Sequence, residues 1–186
     1  MDSQTDNAVM QQVQAGDTAQ LATLFERYHV PLFQYLLQLT RNRPWSEDLV
    51  QDVFFRVLKY AGSYDPSFPF KVWLYRMARN VYFDAAHKRR GEVSSDHLDE
   101  LASNQPITED MLARRQDTML LQEALQRLPD DKREVLILSR FHDLRYDEIA
   151  QIMKCEVGTV KVRVHRALKE LRERFCELRG EALYDV

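Results

Sequence analysis

The sequence predicts an all-α protein made of two small helical domains joined by a flexible acidic linker. Apolar residues recur at three- and four-residue spacing through most of the chain, as in amphipathic helices that pack on a core. The pattern is interrupted over residues 92–110, which hold six carboxylates, no Lys or Arg, and Pro106. We therefore expect domains at residues 1–91 and 111–180, the linker at 92–110, and a short tail at 181–186.

The first domain is expected to begin with two helices. Val9, Met10 and Val13 predict one or two helical turns before a glycine stop. A longer pattern over residues 18–40 predicts the second helix, which Pro31 is expected to kink or restart, because proline lacks the backbone N–H that helix interiors use.

A third helix is predicted from Ser46, as its N-cap, to about Ala61. The residues expected to face the core are Leu49, Val50, Val53, Phe54, Val57 and Tyr60. Phe55 falls on the opposite side of this helix, beside acids and an amide. An exposed phenylalanine in polar surroundings is typical of a protein-binding spot, although a single exposed aromatic is also ordinary.

Residues 62–69 predict a turn-rich loop, and Phe70–Arg90 predicts one long helix. The loop end and the helix interleave the aromatic residues Phe68, Phe70, Trp73, Tyr75, Tyr82 and Phe83 with the cations Lys71, Arg76, Arg79, Lys88, Arg89 and Arg90. This mixture suits single-stranded nucleic acid, because rings stack on bases and cations contact phosphates. Core aromatics below a solvated basic face fit the composition equally well.

In the second domain, helicity is expected to return at Met111, and another helix to begin at Pro129-Asp130. Tyr146–Met153 and a helix opening at Val157 then resemble a helix-turn-helix. The core stripe of the last helix is expected to be Val160, Val164, Ala167, Leu168, Leu171 and Phe175. Its opposite side, here named the groove face, holds Gly158, Thr159, Lys161, Val162, His165, Arg166 and Lys169.

Short and basic residues on the groove face suit phosphate contact and base reading in a DNA groove. The alternative is a two-helix corner with a solvated basic face. Lys154 lies in the turn, where a positive φ favours glycine, and its side chain there costs about 1 kcal/mol.

Composition limits the function classes further. The formal net charge of −3 excludes a uniformly basic DNA-coating protein. Cys155 and Cys176 form neither a disulfide framework nor a zinc set, and they fit a reducing cytosol. The sequence shows no signal-peptide core and no apolar run of about 18 residues, so we expect a cytoplasmic protein. The five histidines lack metal or nucleophile spacing, so we expect no enzyme, metal or cofactor.

Three stretches, in this order, resemble a bacterial sigma factor of the extracytoplasmic-function (ECF) class within the sigma-70 family. The family's core-polymerase-binding helix is similar to SEDLVQDVFFRVLKY. Its promoter-melting and minus-10 segment is similar to PFKVWLYRMARNVYFDAAHKRR, and its minus-35-binding domain to LPDDKREVLILSRFHDLRYDEIAQIMKCEVGTVKVRVHRALKELR. The resemblance implies a sigma domain 2 bundle and a sigma domain 4 helix-turn-helix without a third domain between them.

The resemblance also implies roles for particular residues. Binding to core RNA polymerase, through the β′ clamp helices, is implied for Asp48, Gln51, Asp52 and Phe55. Minus-10 binding, to melted single-stranded promoter DNA, is implied for Phe68, Phe70, Lys71, Trp73, Arg76, Arg79 and Asn80. Minus-35 binding, to duplex promoter DNA, is implied for Thr159, Lys161, Val162, Arg163, His165 and Arg166. The polymerase β subunit and an anti-sigma factor are further partners that the family implies.

Two positions depart from the family and affect the promoter sequence that the resemblance implies: Lys154, which replaces a common turn glycine, and Val162. Val162 stands where many members carry a small polar residue, so we expect contact with a thymine methyl group instead of a hydrogen bond. The main alternative is a conventional helix-turn-helix regulator, in which residues 1–91 would form a sensor or dimerisation domain and the protein would bind inverted repeats as a dimer. A helical adaptor without DNA contact is a third reading.

Overall fold

The computed structural model describes residues 5–90 and 109–180. Within these ranges it is all-helical, which confirms the predicted fold class. The helices are α1 (Asp6–Gln14), α2 (Leu21–Thr40), α3 (Arg43–Lys59), α4 (Phe70–Arg90), α5 (Glu109–Gln126), α6 (Asp130–Arg140), α7 (Tyr146–Met153) and α8 (Val157–Arg179), with short 3-10 turns at Thr18–Gln20 and Ala61–Ser63. None of the described helices is long and apolar enough to cross a membrane.

The chain divides into two compact units, and the helices α1 to α4 belong to the first. Each of them buries one stripe of apolar side chains, which accounts for the amphipathic pattern in the sequence. The fully or almost fully buried members include Val9, Met10, Leu24, Leu32, Tyr35, Leu36, Leu49, Val53, Val57, Leu74, Tyr75 and Ala78. Helix α2 runs through Pro31 as one element, so the restart expected there does not occur.

The start predicted for the third helix at Ser46 is wrong. Helix α3 begins three residues earlier, because Asn42 Oδ1 accepts a hydrogen bond from the backbone N–H of Trp45 at 2.8 Å and caps the first turn. Pro44 lies in that turn, where a missing N–H leaves no bond unmade. Ser46 is instead buried, and its hydroxyl donates to the Asn42 carbonyl at 2.7 Å.

Two residues assigned to core stripes lie at the surface instead. Tyr60 follows the last residue of α3, Lys59, and is exposed because the chain leaves the helical path there. Leu168 lies at the edge of the stripe on α8 and is also exposed, whereas Val160, Val164 and Ala167 are buried as expected.

The second unit contains α5, α6 and α8. Helix α6 starts at Asp130 directly after Pro129, as predicted, and buries Val135 with the three residues that follow it. An ion pair joins α6 to α8, with Lys132 Nζ at 2.6 Å from Glu170 Oε2. This hydrogen bond from Lys132 lowers the pKa of the Glu170 carboxyl below its ordinary value.

Helix α7 and the start of α8 have the bounds that the sequence predicts for a helix-turn-helix. By its contacts, α7 belongs to the first unit. Its apolar residues Ile149, Ala150, Ile152 and Met153 are buried. Lys154 follows with a φ of 52°, which confirms the left-handed conformation expected in the turn.

Replacing Lys154 with glycine tests the cost of this conformation. Because glycine adopts positive φ without a steric penalty, Lys154→Gly should raise the free energy of unfolding by about 0.5–1 kcal/mol. Urea denaturation of the full chain, followed by far-UV circular dichroism, measures the change. The same substitution at Lys169, which is exposed inside α8, should lower stability by about 1 kcal/mol. Effects of the same sign at both positions would contradict the interpretation.

Candidate nucleic-acid and partner-binding surfaces

Helix α3 presents a polar surface with one large apolar residue at its centre. This surface, here named the Phe55 face, consists of Asp48, Gln51, Asp52 and Phe55, all of them exposed. Phe55 is 66% exposed, whereas the adjacent Phe54 is 6% exposed and packs edge-on against Phe25 with ring centroids 4.9 Å apart. The predicted outward orientation of Phe55 is therefore confirmed.

The loop before α4 and the outer side of α4 form a second candidate surface. Phe68 is 49% exposed at the loop end, and Arg76 and Asn80 are exposed on the helix. These three residues and Trp73 line the same depression. Trp73 is half-buried, and its ring lies edge-on to that of Tyr64 with centroids 5.3 Å apart. Trp73 thus contributes both to packing and to the surface.

Phe70 does not belong to this surface. It is 1% exposed, and its ring lies edge-on to Tyr28 at 5.5 Å and to Tyr64 at 6.0 Å between centroids. The first residue of α4 is therefore turned into an aromatic core cluster. The prediction that Phe70 contacts a DNA base is inconsistent with this burial, because a buried ring has no free face for stacking.

The cations of α4 differ in how freely they project. The guanidinium carbon of Arg79 lies 4.7 Å from the centroid of the Phe83 ring, an attractive cation–π contact. Arg89 lies 4.4 Å from the Trp45 ring in the same way. Lys71 is half-buried and Arg76 is exposed. Tyr75 and Tyr82 are buried. For these two aromatics the alternative interpretation, core packing below a basic face, is correct.

The groove face of α8 is open to solvent along its length. Gly158, Lys161, Val162, His165, Arg166 and Lys169 are exposed, and Thr159 is half-buried. Val162 is 48% exposed in the middle of this face. A Cβ added at Gly158 would meet no atom within 4 Å. The face therefore has small side chains at the start of the helix and cations further along, which suits a helix that enters a major groove.

Arg163 lies at the edge of the groove face rather than on it. Its side chain is about one-third exposed, and its Nε is 4.0 Å from Asp131 Oδ2 on α6. This pair is long and partly exposed, so its contribution to stability is small.

Within the described ranges, no group of three or more His, Cys, Asp or Glu residues could hold a metal ion.

Comparison with known proteins identifies the family of the chain. Residues 24–92 match the family model of sigma-70 region 2, and residues 118–171 match that of sigma-70 region 4. The chain is 33% identical over 176 residues to the RNA polymerase sigma factor CarQ of Myxococcus xanthus, covering 92% of this chain and 98% of that protein. It is 30% identical over 151 residues to the ECF RNA polymerase sigma factor SigM of Bacillus subtilis (strain 168), covering 80% and 91%.

The chain belongs to the ECF class of the sigma-70 family. As an ECF sigma factor it directs transcription initiation, binding RNA polymerase and promoter DNA, and it is a non-enzymatic subunit. A similar solved structure is RpoE of Bartonella quintana in complex with the anti-sigma factor NepR, with a TM-score of 0.67, 25% identity, and coverage of 86% of this chain and 96% of that one.

Family membership decides between the alternatives that the sequence left open. The region 2 match covers most of residues 1–91, where a conventional regulator would carry its sensor or dimerisation domain. The regulator and the adaptor are therefore wrong. The Phe55 face, the depression beside α4 and the groove face of this sigma factor all lie within the two matched regions.

Phenylalanines 54 and 55 provide a direct test of the α3 geometry. Phe54→Ala removes a buried ring and should lower the free energy of unfolding by about 3–4 kcal/mol. Phe55→Ala removes an exposed ring and should change it by no more than about 0.5 kcal/mol. Thermal or urea unfolding of both variants measures the difference. Comparable destabilisation by the two substitutions would show that Phe55 is packed.

Proposed function

We propose that residues 1–91 of this sigma factor act as sigma domain 2, residues 111–180 as sigma domain 4, and residues 92–110 as the linker between them. The observation that carries the proposal is the exposure of Phe55, because an aromatic ring that the fold does not bury is available to a partner. Residues 92–108 of this linker lie outside the described residues, and its last two residues, Glu109 and Asp110, already belong to α5. The protein works in the cytoplasm, where transcription takes place.

The Phe55 face is the proposed docking surface for core polymerase, against the β′ clamp helices. Burying a phenylalanine that is exposed in the free protein contributes about 1.5–3 kcal/mol to association. Asp48 and Asp52 flank the ring and are exposed, so they can pair with cations on the partner and set the orientation. Gln51 adds a hydrogen-bonding amide to the same surface.

The loop end and α4 are the proposed minus-10 surface. Phe68 and Trp73 offer ring faces for unpaired bases, while Lys71, Arg76 and Arg79 offer charge for phosphates. Asn80 adds a side-chain amide that can bond to a base edge. Capture of extruded bases offsets the cost of unpairing, which is a few kcal/mol per base. This arrangement explains how promoter melting can proceed without an enzymatic step.

The groove face is the proposed minus-35 surface. Lys161, His165 and Arg166 can donate to base edges, and Val162 can contact a thymine methyl group. Thr159 and Arg163 lie nearer the edge and are assigned to phosphates, which position the helix without reading sequence. The long contact between Arg163 and Asp131 leaves that guanidinium free to turn toward a phosphate.

An anti-sigma factor is a further proposed partner. RpoE of Bartonella quintana was solved with the anti-sigma factor NepR, and the present chain shares its fold over most of its length. The exposed Phe55 face and groove face are the surfaces whose occlusion would stop both polymerase and promoter binding.

Run-off transcription tests the proposed function as a whole. Bacterial core polymerase is incubated with the protein on a pool of promoter-length DNA. The wild-type protein should produce discrete new start sites, and Phe55→Ala should reduce them by about 10-fold or more, because Phe55 supplies much of the docking energy. Stimulation that Phe55→Ala leaves unchanged would contradict the docking role of the Phe55 face.

Arg166 provides a test of the groove face. Arg166→Ala should weaken holoenzyme binding to a duplex promoter by about 1–3 kcal/mol and relax the preference for one base pair of the minus-35 element. Electrophoretic mobility shift titrations with single base-pair substitutions measure both effects. Arg127→Ala is the matched control, because it removes the same charge just after the end of α5, where Arg127 pairs with Glu123 at 3.2 Å. Equal losses from both variants would indicate only a general charge effect.

A further inference from the structure

The N-terminal helix α1 reaches the loop of residues 62–69 through one side chain. The amide nitrogen of Asn7 donates to the backbone carbonyls of Pro66 at 3.1 Å and Phe68 at 3.2 Å. The amide oxygen of Asn7 accepts from the backbone N–H of Phe70 at 2.9 Å. One amide group therefore holds three backbone groups at the junction between the loop and α4, about 60 positions away in sequence.

A second contact from α1 holds the beginning of the same loop. The Gln14 side-chain nitrogen donates to the Tyr64 carbonyl at 2.8 Å. Within the loop, the Tyr64 hydroxyl donates to the Phe68 carbonyl at 2.9 Å, so that oxygen accepts from Asn7 and Tyr64 together. The hydrogen bonds from α1 and the bond between Tyr64 and Phe68 within the loop leave little freedom to the backbone that carries the exposed Phe68 ring.

Helix α1 is itself firmly attached to the rest of the unit, so its hydrogen bonds can fix the position of the loop. Asp6 accepts a hydrogen bond from the Tyr28 hydroxyl and lies 2.6 Å from Arg27 Nη1. Burial together with this bond to a carboxylate raises the pKa of Tyr28 above its ordinary value, which keeps the hydroxyl a donor. Val9 and Met10 on the same helix are buried in the core.

The start of α4 explains why a remote side chain is used here. The first N–H groups of a helix have no partner within the helix and need one from elsewhere. Pro69 precedes α4, and its carbonyl already accepts from the backbone N–H groups of Val72 and Trp73. The N–H of Phe70 is bonded to Asn7 instead. Asn7 thus acts as a helix cap contributed from another helix.

From this geometry we infer that Asn7 is a positioning residue for minus-10 recognition, which it serves by fixing the loop conformation that presents Phe68. The inference rests on the proposed function of that loop. In this role Asn7 acts on the loop and touches no base itself. Its substitution should therefore reduce discrimination between promoter bases, since a looser loop accepts more arrangements of an extruded base, and should leave the Phe55 face intact.

Three variants separate the possible roles of Asn7. Asn7→Ala removes all three hydrogen bonds. Asn7→Asp keeps an acceptor for the Phe70 N–H but removes the donor to the Pro66 and Phe68 carbonyls. Asn42→Ala is the matched control, since it removes another helix-capping asparagine from the same unit without touching the loop. All are assembled as holoenzyme with core polymerase, and their affinities for the polymerase are measured first.

The decisive readout is a ratio of run-off yields. The numerator comes from a promoter that the wild-type holoenzyme selects from the DNA pool, and the denominator from the same promoter with transversions in its minus-10 element. Asn7→Ala loses three hydrogen bonds and Asn7→Asp loses two. Each should lower this ratio by about 5- to 10-fold, because part of the lost bonding energy holds the loop in place. Asn42→Ala should leave the ratio unchanged, even where it lowers total yield.

Amide hydrogen exchange supplies a structural readout that does not depend on DNA. Exchange at the Phe70 amide should accelerate in Asn7→Ala and stay protected in Asn7→Asp, because only the latter retains an acceptor. An unchanged yield ratio in Asn7→Ala, or an equal drop in Asn42→Ala, would overturn the inference. If Phe68→Ala also left the yield ratio unchanged, the loop would not read the minus-10 element. In that case the proposed function of the loop itself would fail.

Discussion

Burial of one stripe on each helix decides which residues remain available to polymerase and DNA. In α3 the buried stripe includes Val53, Phe54 and Val57, which leaves Phe55 on the solvent side. In α8 the buried Val160, Val164 and Ala167 leave the groove face free. Because a helix turns about 100° per residue, the core and the partner surface of one helix cannot be chosen independently.

The partner surfaces are supported by the core to different degrees. The groove face projects from a continuous 23-residue helix and needs little from its neighbours. The minus-10 surface depends on a loop, an aromatic cluster around Phe70, and contacts from α1. The Phe55 face lies between these extremes, since its helix is capped by Asn42 and continues from there without interruption. A sigma factor can thus combine one preformed surface with one that is assembled from several elements.

Periodic features of the sequence could be predicted well. The bounds of α4 and α7, the start of α8 and the outward side of α3 follow from the spacing of apolar residues, which a helix converts directly into faces. Errors occurred where two local signals competed. Ser46 and Asn42 are both good N-caps by residue type, and only the packing of Ser46 into the core excludes it. Tyr60 lies where a stripe ends and Leu168 lies at the edge of one, and periodicity alone locates neither boundary.

Long-range hydrogen bonds and aromatic packing could not be predicted in this way. No local pattern indicates that Asn7 bonds to a loop about 60 residues away. The burial of Phe70 depends on Tyr28 and Tyr64, which come from other elements of the fold. Residue type placed Phe70 among possible base contacts, because an aromatic beside cations has the same composition whether it is buried or exposed.

The different attachment of the two DNA-reading surfaces has a consequence for how promoter preference can change during evolution. Val162 and its neighbours on the groove face are exposed, and a Cβ added at Gly158 would meet no atom outside its own stretch of helix within 4 Å. New side chains can be tried there with little effect on folding. The loop around Phe68 is held through its backbone carbonyls by α1 and has the buried Tyr64 and Phe70 at its ends, so changes that alter its backbone conformation also disturb the fold. Divergence among descendants of this chain should therefore accumulate at the minus-35 element faster than at the minus-10 element.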